Sequence, residues 1–322
     1  QASPTSASAS AVSLVDDRAA YGGTPNDASV IRAIQDLKAR GLNVVLLPFI
    51  LMDIAAGNTL ADPHTGQPGQ PAYPWRGRIT CDPAPDRSGS VDGTAQAATQ
   101  VAAFFGSASP SASEWSFRRH ILHYAQLAVA AGGVDAFVIG SEMISLTRIR
   151  SGSGVYPAVG HLCDLAADVR AILGSGTRIT YAADWTEYGA HVRDGGQEVR
   201  FPLDPLWGHP DIDAIGIDYY PPISDWRDGG DHLDAETARS NYDLDYLCDR
   251  LGAGEAFDWY YEDASGRAAQ QRLPITDGAF DKPWIFRKKD LVGWWSHPHV
   301  ERVGGVETAT TAFPPMAKPI WL

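Results

Sequence analysis

The sequence has no run of about 18 consecutive apolar residues, so it lacks the segment that a membrane-spanning helix requires. Basic residues are also scarce, because 26 Lys and Arg stand against 39 Asp and Glu, for a net charge of −13. A protein that binds a phosphate backbone needs a basic face, so this balance argues against a nucleic-acid partner. Only three cysteines are present, Cys81, Cys163 and Cys248, and they form no CxxC pair. We therefore predict small buried thiols rather than a disulfide framework.

Aromatic residues are plentiful, with ten Trp, twelve Tyr and ten Phe in 322 residues. Several of them lie in predicted loops, including Trp75, Trp226 and Trp294. Aromatic rings outside the core often bind sugars or proteins, but Trp and Tyr also cap large cores, and the sequence leaves both readings open. The 44% hydrophobic and 20% charged residues are typical of a folded globular chain.

The two ends of the chain differ from the rest. Residues 1–11 are rich in Ser and Ala and lack the apolar core of a signal peptide, so we predict a linker or tail over 1–20. The last residues, Lys318–Leu322, have the composition of a strand that is just beginning. We therefore expect that this sequence is a part of a longer protein.

Helical and strand patterns alternate along the chain. Thr24 and Pro25 predict a helix start, with Thr24 as the cap. The predicted helices are 24–41, 114–131, 157–173 and 242–251. The predicted strands, read as apolar runs buried on both faces, are 43–51, 134–140, 178–184, 213–220 and 317–322. This alternation predicts an α/β fold in which a parallel sheet is covered by helices.

Two α/β architectures fit this alternation, an open doubly wound sheet and a (β/α)8 barrel. No glycine-rich phosphate loop follows any predicted strand, which disfavours a nucleotide-binding open sheet. Acidic residues instead follow four strands, namely Asp53, Glu142, Asp184 and Asp218. Barrel enzymes carry their catalytic groups at the carboxyl ends of the strands, so we predict a TIM-barrel-like domain over 21–322. Segments 52–93 and 252–316 are then long βα-loop insertions.

Glu142 is the first candidate for catalysis, because it follows the strand that ends in Phe-Val-Ile-Gly. A carboxyl group at the mouth of a barrel can act as a general acid toward a glycosidic oxygen. The alternative is an N-cap or first-turn Glu that stabilises the next helix.

Further residues are candidates for binding a substrate. Asp184 and Glu187 can each bind a sugar hydroxyl, and Tyr219 can orient a nucleophile through its phenol. The full set of predicted substrate-binding residues is Trp75, Arg76, Asp184, Trp185, Glu187, Asp218, Tyr219 and Trp226. A helix-cap, loop or surface ion-pair role is the alternative for each of the charged ones.

The sequence predicts neither a metal nor a cofactor. His120 and His123 share one helix face, and His297 and His299 flank a proline, but no ordered third ligand accompanies either pair. The GxSxG motif of serine hydrolases is absent.

Many long motifs occur in order between about residues 21 and 322, among them TPNDASVIRAIQDLKARGLNVVLLPFILMD, YPWRGRITCDP, GGVDAFVIGSEM, YAADWTEYG, IDYYPPISDWRDG, KPWIFRKKDLVGWWS and KPIWL. With them the sequence resembles the TIM-barrel-like, glycoside-hydrolase-like domain of the tail-tip hub protein of gene transfer agents and related siphophages, often called host-specificity protein or megatron. The resemblance implies a component of a tail baseplate that acts at the host cell envelope. It also implies other baseplate proteins and host glycan as partners, and a trimer around the tail axis.

The resemblance further implies where the chemistry lies. Retaining glycosidases of the large barrel superfamily carry the acid/base on strand four and the nucleophile on strand seven, which matches Glu142 and the strand that begins at Lys318. In the family a Glu follows KPIW closely, so the nucleophile is expected beyond Leu322 and the first barrel strands before Gln1. Two functions stay open, a retaining glycosidase that cleaves envelope glycan and a purely structural, inactive barrel in the baseplate hub.

Overall fold

The computed structural model describes residues 25–111 and 113–322, together with the backbone of two paired strands, β1 (Leu14–Val15) and β2 (Arg18–Ala19). Most of the predicted linker, and Thr24, lie outside the described residues. The chain divides into two compact units. The first comprises Gln1–Glu187, Pro202–Asp218 and Lys318–Leu322, and the second comprises Tyr188–Phe201 and Tyr219–Ala317.

The first unit is built on a five-stranded parallel sheet. In spatial order its strands are β13 (Ile320–Trp321), β8 (Ile215–Asp218), β5 (Arg178–Asp184), β4 (Ala136–Ser141) and β3 (Val45–Leu46). All four pairings are parallel, and the spatial order follows the chain order. The predicted parallel α/β sheet is thereby confirmed. Among the described residues the five strands form an open arc and do not close into a barrel.

Six α-helices accompany this sheet in the described part of the first unit: α1 (Asp27–Ala39), α2 (Ala95–Phe105), α3 (Phe117–Ala130), α4 (Ile144–Thr147), α5 (Pro157–Leu173) and α6 (Asp204–Trp207). The cap of α1 is Asn26, whose side chain accepts from the N–H of Ser29, and not Thr24 as predicted. Asn is as good a cap as Thr, so the helix begins two residues later. Gly132 and Gly133, both with positive φ, follow α3.

Helix α2 lies just after the segment that was predicted as a long loop, and the sequence analysis missed it. Its buried residues Ala97, Val101 and Phe105 recur every four residues, which is helical spacing. The rest of the helix is rich in Ala, the residue with the highest helix propensity. Because Ala gives little contrast between a buried and an exposed face, the amphipathic signal is weak.

The core of the first unit lies around β4 and β5. All six residues of β4 are buried, as are six of the seven in β5. Helix α5 covers this region with Leu162, Leu165 and Val169, which are completely buried. Gly216 on β8 is needed for the close approach of β5, since a Cβ atom there would lie 2.5 Å from the carbonyl oxygen of Tyr181.

Strand β3 corrects the prediction of a strand over 43–51 buried on both faces. Only Val45 and Leu46 form the strand, and Val45, Leu47, Phe49 and Leu51 are all exposed. These exposed residues alternate with the buried Val44 and Pro48, so only one face of the segment is covered. Strand β8 is also shorter than predicted and ends at Asp218, with two residues between it and the Pro221-Pro222 pair.

The second unit contains an antiparallel sheet that the sequence analysis did not predict. Its four strands, in spatial order, are β12 (Val306–Thr310), β11 (Val300–Val303), β7 (Glu198–Arg200) and β6 (His191–Arg193). The remaining elements are the pair β9 (Trp259–Tyr260) and β10 (Leu273–Pro274), with helices α7 (Leu244–Asp249), α8 (Ala264–Ala268) and α9 (Leu291–Ser296). The strands are short and polar, and β7 and β11 are about 100 residues apart in sequence. Local patterns therefore carry little signal for their pairing.

The Gly216→Ala substitution tests the packing between β8 and β5. We expect it to lower the free energy of unfolding by about 1–3 kcal/mol, since the added methyl meets backbone rather than a movable side chain. Chemical denaturation measures the change. The matched control is Gly160→Ala on α5, where a Cβ has open space and the helix gains up to about 1 kcal/mol. Equal stability of the two variants would contradict the close approach.

Candidate carboxylate site

Three acidic residues lie where neighbouring strands of the parallel sheet end. Glu142 follows the last residue of β4, and Asp184 and Asp218 are the last residues of β5 and β8. The registers pair Ser141 with Ala182, and Asp184 with Asp218. The predicted placement of Glu142, Asp184 and Asp218 at one edge of the sheet is confirmed. In barrel enzymes this edge carries the catalytic groups.

A bulge at the end of β4 directs Glu142. The register between β4 and β5 shifts between Val138 and Ser141, and Glu142 itself has a φ of 51°. This left-handed conformation is uncommon for a residue with a side chain and costs about 1 kcal/mol or more. Two hydrogen bonds hold it, from the N–H of Glu142 to the carbonyl of Ala182 (2.8 Å) and from the N–H of Met143 to the phenol of Tyr181 (2.9 Å).

The carboxylate of Glu142 is bound by two donors from a single segment. Arg76 Nη2 lies 2.8 Å from Glu142 Oε2, and Trp75 Nε1 donates to the same oxygen at 2.7 Å. Arg76 also donates through Nε to the carbonyl and hydroxyl oxygens of Ser141, at 2.8 and 3.0 Å. Its guanidinium stacks on Phe49, 4.1 Å from the ring centroid.

These contacts decide between two readings of Glu142. Helix α4 begins at Ile144 with Met143 as its cap residue, and no side chain caps it. Glu142 is therefore not a helix cap, and its carboxylate belongs to a cluster with Trp75 and Arg76. Arg76 is only 8% exposed and is already paired with Glu142, and that it binds a substrate stays a prediction.

Asp218 lies on the other side of the same guanidinium. Its Oδ2 is 3.9 Å from Arg76 Nη2, a distance at which charges interact without a good hydrogen bond. Burial and the negative charge of Glu142 raise the pKa of Asp218 to about 6, against the opposing effect of Arg76. A raised pKa at a cluster of carboxylates is a common property of functional sites.

Glu187 does not have the predicted sugar-binding position. Its side chain is 2% exposed, and the hydroxyls of Thr147 (2.7 Å) and Tyr181 (2.9 Å) donate to Oε1. The N–H of Asp184 donates to Oε2 at 3.0 Å. Burial raises the pKa of Glu187 to about 7 despite these donors. Because these donors bind both carboxylate oxygens inside the protein, Glu187 stabilises the site from the interior.

Tyr181 connects this interior group to Glu142. Its hydroxyl accepts from the N–H of Met143 and donates to Glu187, so one side chain bridges the buried carboxyl and the bulge. The sequence analysis missed Tyr181 and Thr147. The available signal was a Tyr inside a buried strand, because a buried phenol needs a hydrogen-bond partner.

Asp184 and Trp185 lie beside the cluster. Asp184 is 8% exposed, and its Oδ1 accepts from the N–H of Thr186 at 2.8 Å and from its hydroxyl at 2.5 Å. Trp185 is half-buried, and its N–H donates to the carbonyl of Asp218 at 3.1 Å. That these two residues bind a sugar stays a prediction.

Tyr219 and Trp226 belong to the second unit. Tyr219 is half-buried, and burial raises the pKa of its phenol. Trp226 is also half-buried and packs edge-on against His232 and Tyr246, with centroids 4.5 and 6.1 Å apart. That their rings line a cleft with Trp75 and Trp185 stays a prediction.

The cysteines and histidines have structural surroundings. Cys81 is buried as predicted, but Cys163 is half-buried and Cys248 is exposed, on the short helix α7. His299 is buried and stacks on Phe201 and Phe313, and His123 pairs with Asp27. Within residues 25–111 and 113–322, no three His, Cys, Asp or Glu side chains are grouped as metal ligands. The helices that the structure describes are too short or too polar to cross a bilayer.

The sequence of the chain matches a known family over most of its length. The profile of the GTA TIM-barrel-like domain matches residues 115–322, about two thirds of the chain. The chain belongs to this family. The match includes β4, β5, β8 and β13, and with them Glu142, Asp184 and Asp218.

A solved structure described as a GH113 beta-1,4-mannanase is similar over 67% of this chain, with 20% identity and a TM-score of 0.32. The chain spans about half the length of that structure. The comparison with curated proteins finds no match.

The pH dependence of stability tests the burial of Glu187. Because the folded pKa is raised to about 7 from 4.5, the protonated form stabilises the protein below about pH 4.5, and this stability is lost as the pH rises through 7. Because a glutamine side chain does not ionise, we expect Glu187→Gln to remove this loss. The free energy of unfolding of the variant should then rise relative to that of the wild type by roughly 2–4 kcal/mol between these pH values. Urea unfolding at several pH values measures the difference.

The matched control is Glu114→Gln, because Glu114 lies outside the buried cluster and its hydrogen bonds to Ser107 and Ser116 lower its pKa. A lowered pKa stabilises the protein above about pH 4.5, so this variant should lose, rather than gain, on the wild type as the pH rises. If the free energies of unfolding of Glu187→Gln and the wild type changed in parallel with pH, burial would not raise the pKa of Glu187 and the prediction would be wrong.

Proposed function

We propose that this chain is a glycan-binding, glycoside-hydrolase-like barrel domain of the tail baseplate in a gene transfer agent or related phage-like particle, acting at the host cell envelope. Its membership of the GTA TIM-barrel-like domain family supports the assignment to such a particle. The observation that supports a glycan ligand is that an exposed tryptophan, Trp75, donates a hydrogen bond to the carboxylate of Glu142.

Trp75 and Glu142 together have the chemistry that sugar recognition needs. The indole is 44% exposed although its Nε1 is bonded to Glu142. An exposed aromatic face packs against the C–H face of a sugar ring, and a neighbouring carboxylate accepts hydrogen bonds from hydroxyls. The net charge of −13 favours a neutral or cationic glycan over a strongly acidic one.

Hydrolysis needs a second carboxylate at a defined distance from Glu142. Retaining enzymes place the two carboxyl groups about 5–5.5 Å apart and inverting enzymes about 6.5–9.5 Å apart. Asp218 ends β8, the second strand after β4, whereas the family resemblance places the nucleophile on the third. We therefore propose Glu142 as the acid/base and, following the family resemblance, a nucleophile on the strand that begins with β13.

The second candidate function is a structural barrel that holds neighbouring baseplate proteins, as a trimer, without turnover. The observation in its favour is that Glu142 is bound by Arg76 and Trp75 inside the protein. A reacting sugar must compete with these two donors for the carboxylate.

Glycan binding is tested with immobilised peptidoglycan, capsular polysaccharide and O-chain fractions, and with plain β-1,4-linked glucan and mannan. We expect at least one to bind, and Trp75→Ala to weaken that binding about fivefold, the equivalent of about 1 kcal/mol of lost aromatic contact. Trp115→Ala is the matched control, since Trp115 is 50% exposed, stacks on Arg119 and makes no contact with Glu142. Binding that Trp75→Ala and Trp115→Ala weaken equally would contradict the site.

Release of reducing ends from the bound polysaccharide tests turnover. We expect residues 1–322 to bind without release, because the nucleophile that the family resemblance implies is not among these residues. A protein extended beyond Leu322 is expected to release reducing ends, and Glu142→Gln in it to abolish the release while assembly continues. Absence of release by the extended wild type, with normal assembly by Glu142→Gln particles, would favour the structural function.

A further inference from the structure

We infer that Glu142 and Asp218 share one proton and act as a single acid–base unit, with Arg76 as their common counter-ion. The role of this unit toward a glycosidic oxygen rests on the proposed function, but the sharing itself does not. The inference starts from the position of the two carboxyl groups around one guanidinium nitrogen.

The geometry places two like charges at one cation. Arg76 Nη2 lies 2.8 Å from Glu142 Oε2 and 3.9 Å from Asp218 Oδ2. The side chains of Glu142 and Asp218 are only 14% and 30% exposed, so water screens their repulsion weakly. Like-charged carboxylates in such contact do not both ionise easily, and one retains its proton.

The donors around the two carboxyl groups indicate which of them retains the proton. Ionised carboxylates only accept hydrogen bonds, so each added donor stabilises the ionised form. Glu142 Oε2 already accepts from Arg76 and from Trp75, whereas Asp218 is more distant from Arg76. The stronger donors therefore favour the charge on Glu142 and leave the proton with Asp218.

The pKa of Asp218, raised to about 6, agrees with this assignment. Its causes are burial first and the charge of Glu142 second, with Arg76 opposing them and Asp184 adding a smaller effect. Asp184 is turned toward Thr186, whose N–H and hydroxyl bind its Oδ1. Arg76, Glu142 and Asp184 are thus the charged groups that act on Asp218.

The shared proton gives Asp218 a role other than that of the nucleophile. When a glycosidic oxygen lies at Glu142, the proton moves from Asp218 to Glu142, which then donates a hydrogen bond to that oxygen. The pair keeps a charge of −1 throughout, and no other atom is exchanged. Asp218 is therefore a positioning residue that supplies the proton through Glu142.

The experiment is a ¹³C NMR titration of the carboxyl groups in the chain without glycan, with signals assigned through Glu142→Gln and Asp218→Asn. We expect the Asp218 signal of the wild type to titrate near pH 6 and Glu142→Gln to lower that midpoint by about one pH unit or more. We also expect the Glu142 signal to respond in the same pH range, and Asp218→Asn to abolish that response. Circular dichroism confirms that each variant is folded.

Asp184→Asn is the matched control, because it removes a nearby charge that lies outside the pair. It should move the Asp218 midpoint by clearly less than Glu142→Gln does. A midpoint that stays unchanged in Glu142→Gln, or that moves equally in Asp184→Asn, overturns the inference. If Glu142→Gln does not fold, the Glu142 response in the wild type and its loss in Asp218→Asn decide the question.

The titration and the glycan assay fail independently. If the two carboxyl groups titrate together but no polysaccharide binds, the shared proton is supported and the proposed function is wrong. If a polysaccharide binds but the titrations are independent, the proposed function is supported and the shared proton is wrong.

Discussion

The ion pair between Arg76 and Glu142 is the interaction on which the rest of the site depends. Both side chains are largely buried, and burying two charges is costly unless they pair and satisfy their remaining hydrogen bonds. Arg76 meets this condition through Ser141 and Phe49, and Glu142 meets it through Trp75. The pair therefore fixes a segment of the long loop after β3 against the end of β4, and it sets the charge that Asp218 experiences.

The backbone around Glu142 is adapted to this pair. The bulge in β4 and the left-handed φ of Glu142 turn the side chain toward the loop, at a conformational cost. Tyr181 offsets that cost by accepting from the N–H of Met143. Glu187, with Thr147, in turn holds Tyr181 from the interior. The ion pair with Arg76 therefore fixes the side chain of Glu142, and the buried carboxyl of Glu187 stabilises the backbone next to it through Tyr181.

The sequence predicts some of this arrangement and leaves the rest open, for physical reasons. Continuous apolar runs predict β4 and β5 well, helical periodicity predicts α5, and strand ends predict that Glu142, Asp184 and Asp218 lie together. The contact between Arg76 and Glu142 joins residues 66 positions apart through an irregular loop, and no local pattern encodes it. Glu187 was predicted as a ligand because a carboxylate after a strand looks the same in sequence whether it points outward or inward. The antiparallel sheet of the second unit was missed because its strands are short, polar and distant in sequence.

The measurement that tests this account most directly is a double-mutant cycle on the free energy of unfolding with Arg76→Met and Glu142→Gln. We expect Arg76→Met alone to cost about 3–5 kcal/mol, because it leaves a buried carboxylate without its cation. In the Glu142→Gln background the same substitution should cost about half of that or less, since no charge is left unpaired. Such a coupling would show that the ion pair organises the site. Costs that simply add would contradict the account, because they would mean that Arg76 and Glu142 stabilise the fold independently.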